Sequence, residues 1–312
     1  MNSSALIQEL LKERADLYAR LKLLPYDGTP EIKENESGKY LYIRKRVGSR
    51  ISSTYVDVYS DTLYQLLLKN NAEAKELKKA IRKIDKELAV MGFNEGELPR
   101  EVMLNLDFAR INMKSSIYDQ AVLEGVATTF PQTEDIIDNG IVNGVRASDV
   151  QKILNLKHAW EFILDKDVLQ VKSDYSILCH IAKLVNEGFF NDGGKIRGVP
   201  VTIGGTSYLP PLPIETVVIE SILRITEDKN LSNVEKAIEL CLYCMKTQIF
   251  NDGNKRTAVI FANHFLISKA GGILVIPESK VSEFKGLLVS YYEGHDEKKI
   301  KSFLKEYCVK SF

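Results

Sequence analysis

The sequence predicts a mainly α-helical protein whose N-terminal part is an appendage of helices and a β-hairpin. Three observations carry that reading. Apolar residues return every three or four positions through most of the 312 residues, the period of helices with one buried face. Two stretches, 40–59 and 199–208, instead follow the strand pattern. A short polar loop, 248–257, follows an apolar helix and gathers turn-forming and charged residues. Lys and Arg together number 42, Asp and Glu 42, and the net charge is zero. No global field therefore favours nucleic acid or an anionic membrane. No apolar run approaches membrane-spanning length, and no signal-peptide hydrophobic region opens the chain. The four cysteines form no disulfide framework. The chain reads as a cytoplasmic-type protein with no membrane role.

The elements follow in order. Leu6, Leu10, Leu17, Leu21 and Leu24 make residues 5–24 an amphipathic helix, stopped by Pro25. A polar, charged loop continues to about Gly38. Tyr40–Ile43, the Gly48–Ser49 turn and Ile51–Tyr59 form a β-hairpin. A short helix at 61–69 precedes a longer one at 72–91, striped by Leu77, Ile81, Ile84, Leu88 and Met91. That helix suits an antiparallel α-hairpin with the first. Gly92–Pro99 is the best boundary, giving an N-terminal region at 1–98 and a main domain at 99–312. The β-hairpin holds the one local charge excess, Lys39, Arg44, Lys45, Arg46 and Arg50, with no acid between Lys39 and Tyr55. Beside Tyr40 and Tyr42 these residues suit nucleic acid; a solvated face is the other reading.

The main domain is almost wholly helical. Glu101–Gly125 reads as one helix, and 126–147 as a loop containing Pro131, Gly140 and Gly144. Helices follow at 148–166, capped by Ser148, and at 174–187, capped by Asp174. The stretch Gly193–Pro211 interrupts them. Val199, Val201 and Ile203 alternate, Gly204–Gly205 turns, and Tyr208 returns, which reads as a small hairpin with Pro210 and Pro211 leading out. Helices resume at 213–227, 232–248, 256–269, 279–292 and 296–308. Cys241 and Cys244 lie inside a helical pattern and read as buried, reduced thiols rather than a redox or zinc site.

The loop 248–257 carries the chemistry. Asp252–Gly253 is a turn signal, and the amides opening the next helix lack intrahelical acceptors. With Lys255 and Arg256 beside them they form an anion seat suited to a phosphate chain. Asp252 offers a hard oxygen ligand for Mg²⁺. The competing reading is an ordinary helical corner whose basic residues face solvent.

With the loop and hairpin placed, the chain resembles the Fic (Fido) family. Gln248–Thr257 resembles its signature loop, His-x-Phe-x-Asp/Glu-Gly-Asn, then Gly or Lys, then Arg. Lys195-Ile196-Arg197-Gly198-Val199-Pro200-Val201, running on to Tyr208-Leu209-Pro210-Pro211, resembles the segment holding its target-positioning flap. Ser115–Gly125 resembles a helix that often carries an inhibitory motif. The resemblance implies a Fic-type helical bundle with a small β-hairpin flap, a core at about 115–270 and C-terminal helices to 312. Members mostly transfer AMP from ATP to a hydroxyl of a target protein. ATP and Mg²⁺ are therefore the implied cofactors, and a protein target or regulatory protein the implied partner. Phe250 would anchor the loop and Asp252 hold the metal. Gly253, Asn254, Lys255 and Thr257 with the loop amides would line the nucleotide seat, and Arg256 would pair with a phosphate. The flap residues Val199, Val201, Ile203 and Tyr208 would align a target chain by strand addition.

The departures bear on activity. Gln248 stands where the family carries its catalytic histidine, and an amide has no titrating proton with which to act as a general base. Val259 replaces the second arginine of the AMP-transferring motif. Asn254-Lys255-Arg256-Thr257-Ala258 is closer to the Doc-like subgroup, whose members bind the nucleotide reversed and transfer a phosphate, although Gly253 departs from that subgroup's alanine. Glu124 matches the inhibitory glutamate, but Gln120 does not match its Ser/Thr, and the arginine it would pair with is missing. An unpaired Glu124 carboxylate would repel a nucleotide, or would cap locally. His158, His180 and His264 lie in helical patterns and His295 near the C-terminal loop, so none replaces the base. The implied function is a nucleotide-binding Fic-fold protein with weak or absent AMP transfer. An active AMP- or phosphotransferase and a nucleic-acid-linked regulator using residues 39–50 are the alternatives.

Overall fold

The computed structural model describes residues 3–26, 28–47, 50–93, 96–139 and 144–312. The expected turn Gly48–Ser49 and the expected loop glycine Gly140 lie outside them. The chain divides into two compact units, Met1–Glu95 and Gly96–Phe312.

In the first unit, α1 (Ser3–Leu23) and α2 (Asp61–Val90) form the α-hairpin. Leu10 and Leu11 pack on Ile84 and Leu88. Arg14 meets Asp85 at 2.9 Å and Arg20 meets Glu73 at 3.1 Å, fixing the antiparallel register. The two helices expected at 61–69 and 72–91 are one 30-residue helix. The buried stripe Leu67, Asn70, Ala74, Leu77, Ile81, Ile84 and Leu88 runs unbroken through the junction, so packing outweighs the poor helix propensity of Asn70 and Asn71. Asn70 also donates to the Pro25 carbonyl at 3.2 Å.

The stretch expected as a polar loop before Gly38 holds a strand. β1 (Thr29–Asn35) pairs antiparallel with β2 (Gly38–Val47), and β2 pairs with β3 (Arg50–Val58). The hairpin is thus the larger part of a three-stranded sheet in the order β1-β2-β3. An edge strand tolerates Pro30 and several charges because one side of its backbone has no ladder to keep. Leu41 and Ile43 pack their face on Leu67.

In the second unit the helix expected at 101–125 is two, α3 (Arg100–Ile111) and α4 (Met113–Leu123). The break falls at Asn112, whose side chain donates to the Phe108 carbonyl at 2.9 Å. Its own carbonyl accepts from Ser116, so one polar residue ends one helix and starts the next. The expected loop 126–147 holds α5 (Phe130–Asn139). Pro131 sits in its first turn, where no amide is needed. Thr129 caps it, its amide donating to Gln132 Oε1 at 3.0 Å while its hydroxyl accepts from Gln132 N at 3.4 Å. α6 (Ala147–Ile163) starts without the side-chain cap expected from Ser148. The short α7 (Lys166–Gln170) leads to α8 (Tyr175–Val185), where Asp174 accepts from Ile177 N at 3.0 Å as expected.

α9 (Glu215–Glu227), α10 (Asn233–Thr247) and α11 (Asn254–Ser268) follow. Ser232 and Glu235 close a capping box on α10. α11 is buried from Asn254 to Ile267 at every position but Lys255, with α10, α8, α6 and α3 packed around it. The chain closes with β4 (Ile273–Leu274), α12 (Val281–Tyr292), α13 (Glu297–Phe303), a wide turn at Leu304–Cys308 and β5 (Val309–Lys310), which pairs with β4. Among the described residues no helix is long and apolar enough to cross a membrane.

Candidate functional site: the loop between α10 and α11

Residues 248–253 join the C-terminus of α10 to the N-terminus of α11, and two residues with positive φ make the turn possible. Gln248 ends α10 at φ 48°, and Gly253 opens α11 at φ 73°. Between them Ile249 and Phe250 point into the core at 0% and 2% exposure, so Phe250 takes the expected anchoring place. Asn251 and Asp252 face solvent.

Asn254 holds the loop shut. Its Oδ1 accepts from Phe250 N at 2.9 Å, and its Nδ2 donates to Phe250 O at 2.7 Å and to Gln248 Oε1 at 3.1 Å. Its amide is committed to the loop rather than turned to a ligand. The Gln248 side chain is equally engaged, since Nε2 also donates to the Met245 carbonyl at 2.6 Å. The first helical amide bond in α11 runs from Thr257 N to Gly253 O at 2.8 Å. The amides opening the helix before it are left for an acceptor outside the ladder.

Arg256, read from sequence as a phosphate ligand, turns inward and is 2% exposed. Nη1 donates to the Val185 carbonyl at 3.0 Å, Nη2 to Asp252 Oδ2 at 3.2 Å, and Nε lies 3.5 Å from Glu124 Oε2. Glu124 caps the C-terminus of α4, and its Oε1 lies 3.7 Å from Lys255 Nζ. The carboxylate is therefore not the unpaired group expected. Two cations, Lys255 and Arg256, face it. Gln120, one turn earlier, donates to the Arg256 carbonyl at 2.8 Å and accepts from Trp160 Nε1 at 3.1 Å. Thr257 is 1% exposed. Of the predicted seat, Asp252, Lys255 and the helix-opening amides remain on the rim.

The Fic/DOC family model matches residues 172–266, which contain this loop and the whole of α8 to α10. The chain carries a Fic/DOC domain. The family's members are generally nucleotide transferases. A family model for a domain of unknown function, DUF6788, matches residues 4–65. Among solved structures, a fragment of Fic-1 from C. elegans is 19% identical, with a TM-score of 0.52 over 78% of this chain and 74% of that one. A Fic domain containing signaling protein from Bacteroides thetaiotaomicron is 18% identical, with a TM-score of 0.50 over 62% and 75%. A Fic family protein from Desulfovibrio desulfuricans is 15% identical, with a TM-score of 0.52 over 67% and 72%. These likenesses are of fold. No curated protein matches the chain.

The flap segment of the Fic domain reverses at Gly204–Gly205 as expected, but its arms are extended without a strand ladder. Side chains hold it instead. Arg197, 2% exposed, donates from Nε to Gln248 O at 2.5 Å, from Nη1 to Val199 O at 2.8 Å, and from Nη2 to Pro210 O and Pro211 O at 3.1 and 2.6 Å. Its own amide donates to Ile249 O at 2.9 Å. One guanidinium thus ties both ends of the flap to the signature loop, and burial lowers its pKa. At the tip, Glu293 Oε1 accepts from Thr206 at 2.8 Å, and these hydrogen bonds hold its pKa down. Tyr208 stacks on Tyr292 with ring centroids 6.0 Å apart. Val199 stays 57% exposed, and Val201 and Ile203 are half-buried. Strand addition needs extended backbone with open donors and acceptors, and here Val199 O and the amides of Ser207 and Tyr208 are already engaged.

Sequence reasoning passed over two structural residues. Arg197 stood inside the quoted flap stretch but was given no role. Asn186 ends α8, and its Nδ2 donates to Ala182 O, Gly193 O and Asp252 O at 3.0, 3.2 and 3.0 Å. The only available signal was a polar residue at the end of an apolar helix. Three of the four histidines are engaged away from the loop. His264 is bonded to Ser173 and the Val168 carbonyl, His158 to Glu187, and His180 stacks on Phe162. Cys241 and Cys244 are buried, and burial pushes both thiols up.

Proposed function

We propose that the Fic domain is a seat for the phosphates of ATP with Mg²⁺ from which the acid–base step of transfer has been withdrawn. The observation that carries this reading is Gln248. It stands at the position that the resemblance gives to the base, with its amide consumed by Met245 O and Asn254, and an amide does not titrate near neutral pH, so it cannot act as a general base. Positioned proton transfer is typically worth about 10²–10⁴ in rate, so residual transfer would be weak. The seat's residues fit the cofactor in part. The amides opening α11 can accept an anion, Lys255 adds charge beside them, and the half-exposed Asp252 carboxylate can bind Mg²⁺ alongside phosphate oxygens. Mg²⁺ would supply charge neutralisation along the phosphate chain. Arg256 and Asp252 meet at 3.2 Å, so a nucleotide must exchange that contact for its own. The exposed flap edge then serves a protein partner rather than a substrate hydroxyl. All four cysteines are free, which fits a cytoplasmic setting.

The test is calorimetric titration with ATP·Mg²⁺, followed by incubation with α- and γ-labelled ATP and candidate proteins. Binding without label transfer supports the reading, and Gln248→His should then raise transfer. Failure to bind at millimolar ATP removes the seat. Robust transfer by the wild-type protein removes the withdrawn step and restores an AMP- or phosphotransferase, the label's position deciding which.

A further inference from the structure

We propose that the outer face of the β1–β2–β3 sheet binds single-stranded nucleic acid. The strand period separates the sheet's two faces. Leu41 and Ile43 pack on Leu67, while Tyr40, Tyr42, Arg44 and Arg46 occupy the opposite positions of β2. Register sets Lys33 beside Tyr40, Glu31 and Tyr55 beside Tyr42, Ser53 beside Arg44 and Ile51 beside Arg46. Tyr55 contacts both other tyrosines, at ring-centroid separations of 6.3 and 5.6 Å, and is 49% exposed. None of the three joins the apolar cluster beneath the sheet. The core therefore does not require them, and the rings form an aromatic platform at the surface.

Charge fixes the occupant. Lys33 Nζ lies 4.2 Å from the centre of the Tyr42 ring and 3.9 Å from Glu31, so the carboxylate beside Tyr42 is balanced, and Asp57 is a second acid near Tyr55. Arg44 and Arg46 are exposed and take part in no ion pair among the described residues. Along β2 the sequence ring, ring, cation, cation repeats at about 7 Å. Stacking surfaces followed by phosphate-binding cations are the elements of a single-strand site. A duplex keeps its base faces stacked on one another and would meet only the cations. An acidic peptide would likewise leave the rings unused. This inference is independent of the nucleotide seat.

Fluorescence anisotropy with the full chain tests it, using labelled oligo(dT) of about twelve nucleotides and the same strand annealed to oligo(dA). The single strand should bind more tightly than the duplex. Tyr42→Ala and Tyr55→Ala should each weaken binding about tenfold, while Tyr42→Phe retains it. Replacing Arg44 and Arg46 together by Gln should lower the slope of log affinity against log salt by about 1.4, roughly 0.7 for each cation on a single strand. Circular dichroism melting confirms that each variant is folded. Absence of single-strand binding at low salt overturns the proposal. So does indifference to both Tyr→Ala changes, or equal binding of the duplex or of a poly-glutamate peptide.

Discussion

Gly253→Ala is the sharpest probe of how the signature loop is built. Gly253 has φ +73°, and a Cβ there would lie 2.7 Å from Asn186 Oδ1 and 3.1 Å from its Nδ2. Forcing an alanine into the left-handed region costs about 1 kcal/mol. Asn186 cannot yield freely, because it is 1% exposed and its amide donates to three backbone carbonyls. Moving it far enough to clear the methyl disrupts two of those bonds, at about 1 kcal/mol each. The expected loss is about 2–4 kcal/mol, a fall in Tm of roughly 5–12 °C for a unit of this size. The chain's single tryptophan, Trp160, is fully buried in this unit, so urea titration followed by its fluorescence isolates the relevant transition. Asn186→Ala removes the obstructing amide. In that background the glycine change should cost only the strain of about 1 kcal/mol, leaving a coupling of about 1–3 kcal/mol between the sites. A cost below about 0.5 kcal/mol for Gly253→Ala, or equal costs in the two backgrounds, would refute the packing argument.

Three further outcomes are expected. Arg197→Met removes a buried cation whose acceptors are backbone carbonyls; it should destabilise the domain by about 2–4 kcal/mol and bring cleavage by a protease into 199–212, read by mass spectrometry. Glu124→Gln takes a carboxylate away from Lys255 and Arg256 and should tighten ATP binding about fivefold by calorimetry, whereas unchanged affinity would leave Glu124 only a local cap. Burial lowers the pKa of His264 from 6.5 to about 4. The unfolded chain then binds the extra proton first, so the stability that neutral His264 contributes is present above about pH 6.5 and lost as pH falls towards 4. The loss should be about 3 kcal/mol, and it should disappear in His264→Gln if that variant folds; a flat profile between pH 4 and 6.5 would contradict the burial.

Local patterns in the sequence determined a good deal. The stripe of α2, the Asp174 cap, the reversal at Gly204–Gly205 and the burial of Phe250 were all legible, because each depends on residues within a turn or two of one another. The family resemblance rested on that same local spacing. Tertiary structure decided what local pattern could not. Thr29–Asn35 is polar and charged and becomes a strand only because β2 offers it an edge. The join at Asn70–Asn71 stays helical because a continuous buried stripe outweighs two poor helix formers. Most consequentially, Arg256 reads from sequence as a phosphate ligand, and the fold turns it inward onto Val185, Asp252 and Glu124. Two of those three partners, Glu124 at the end of α4 and Val185 on α8, lie more than sixty residues away along the chain, and only packing brings them together.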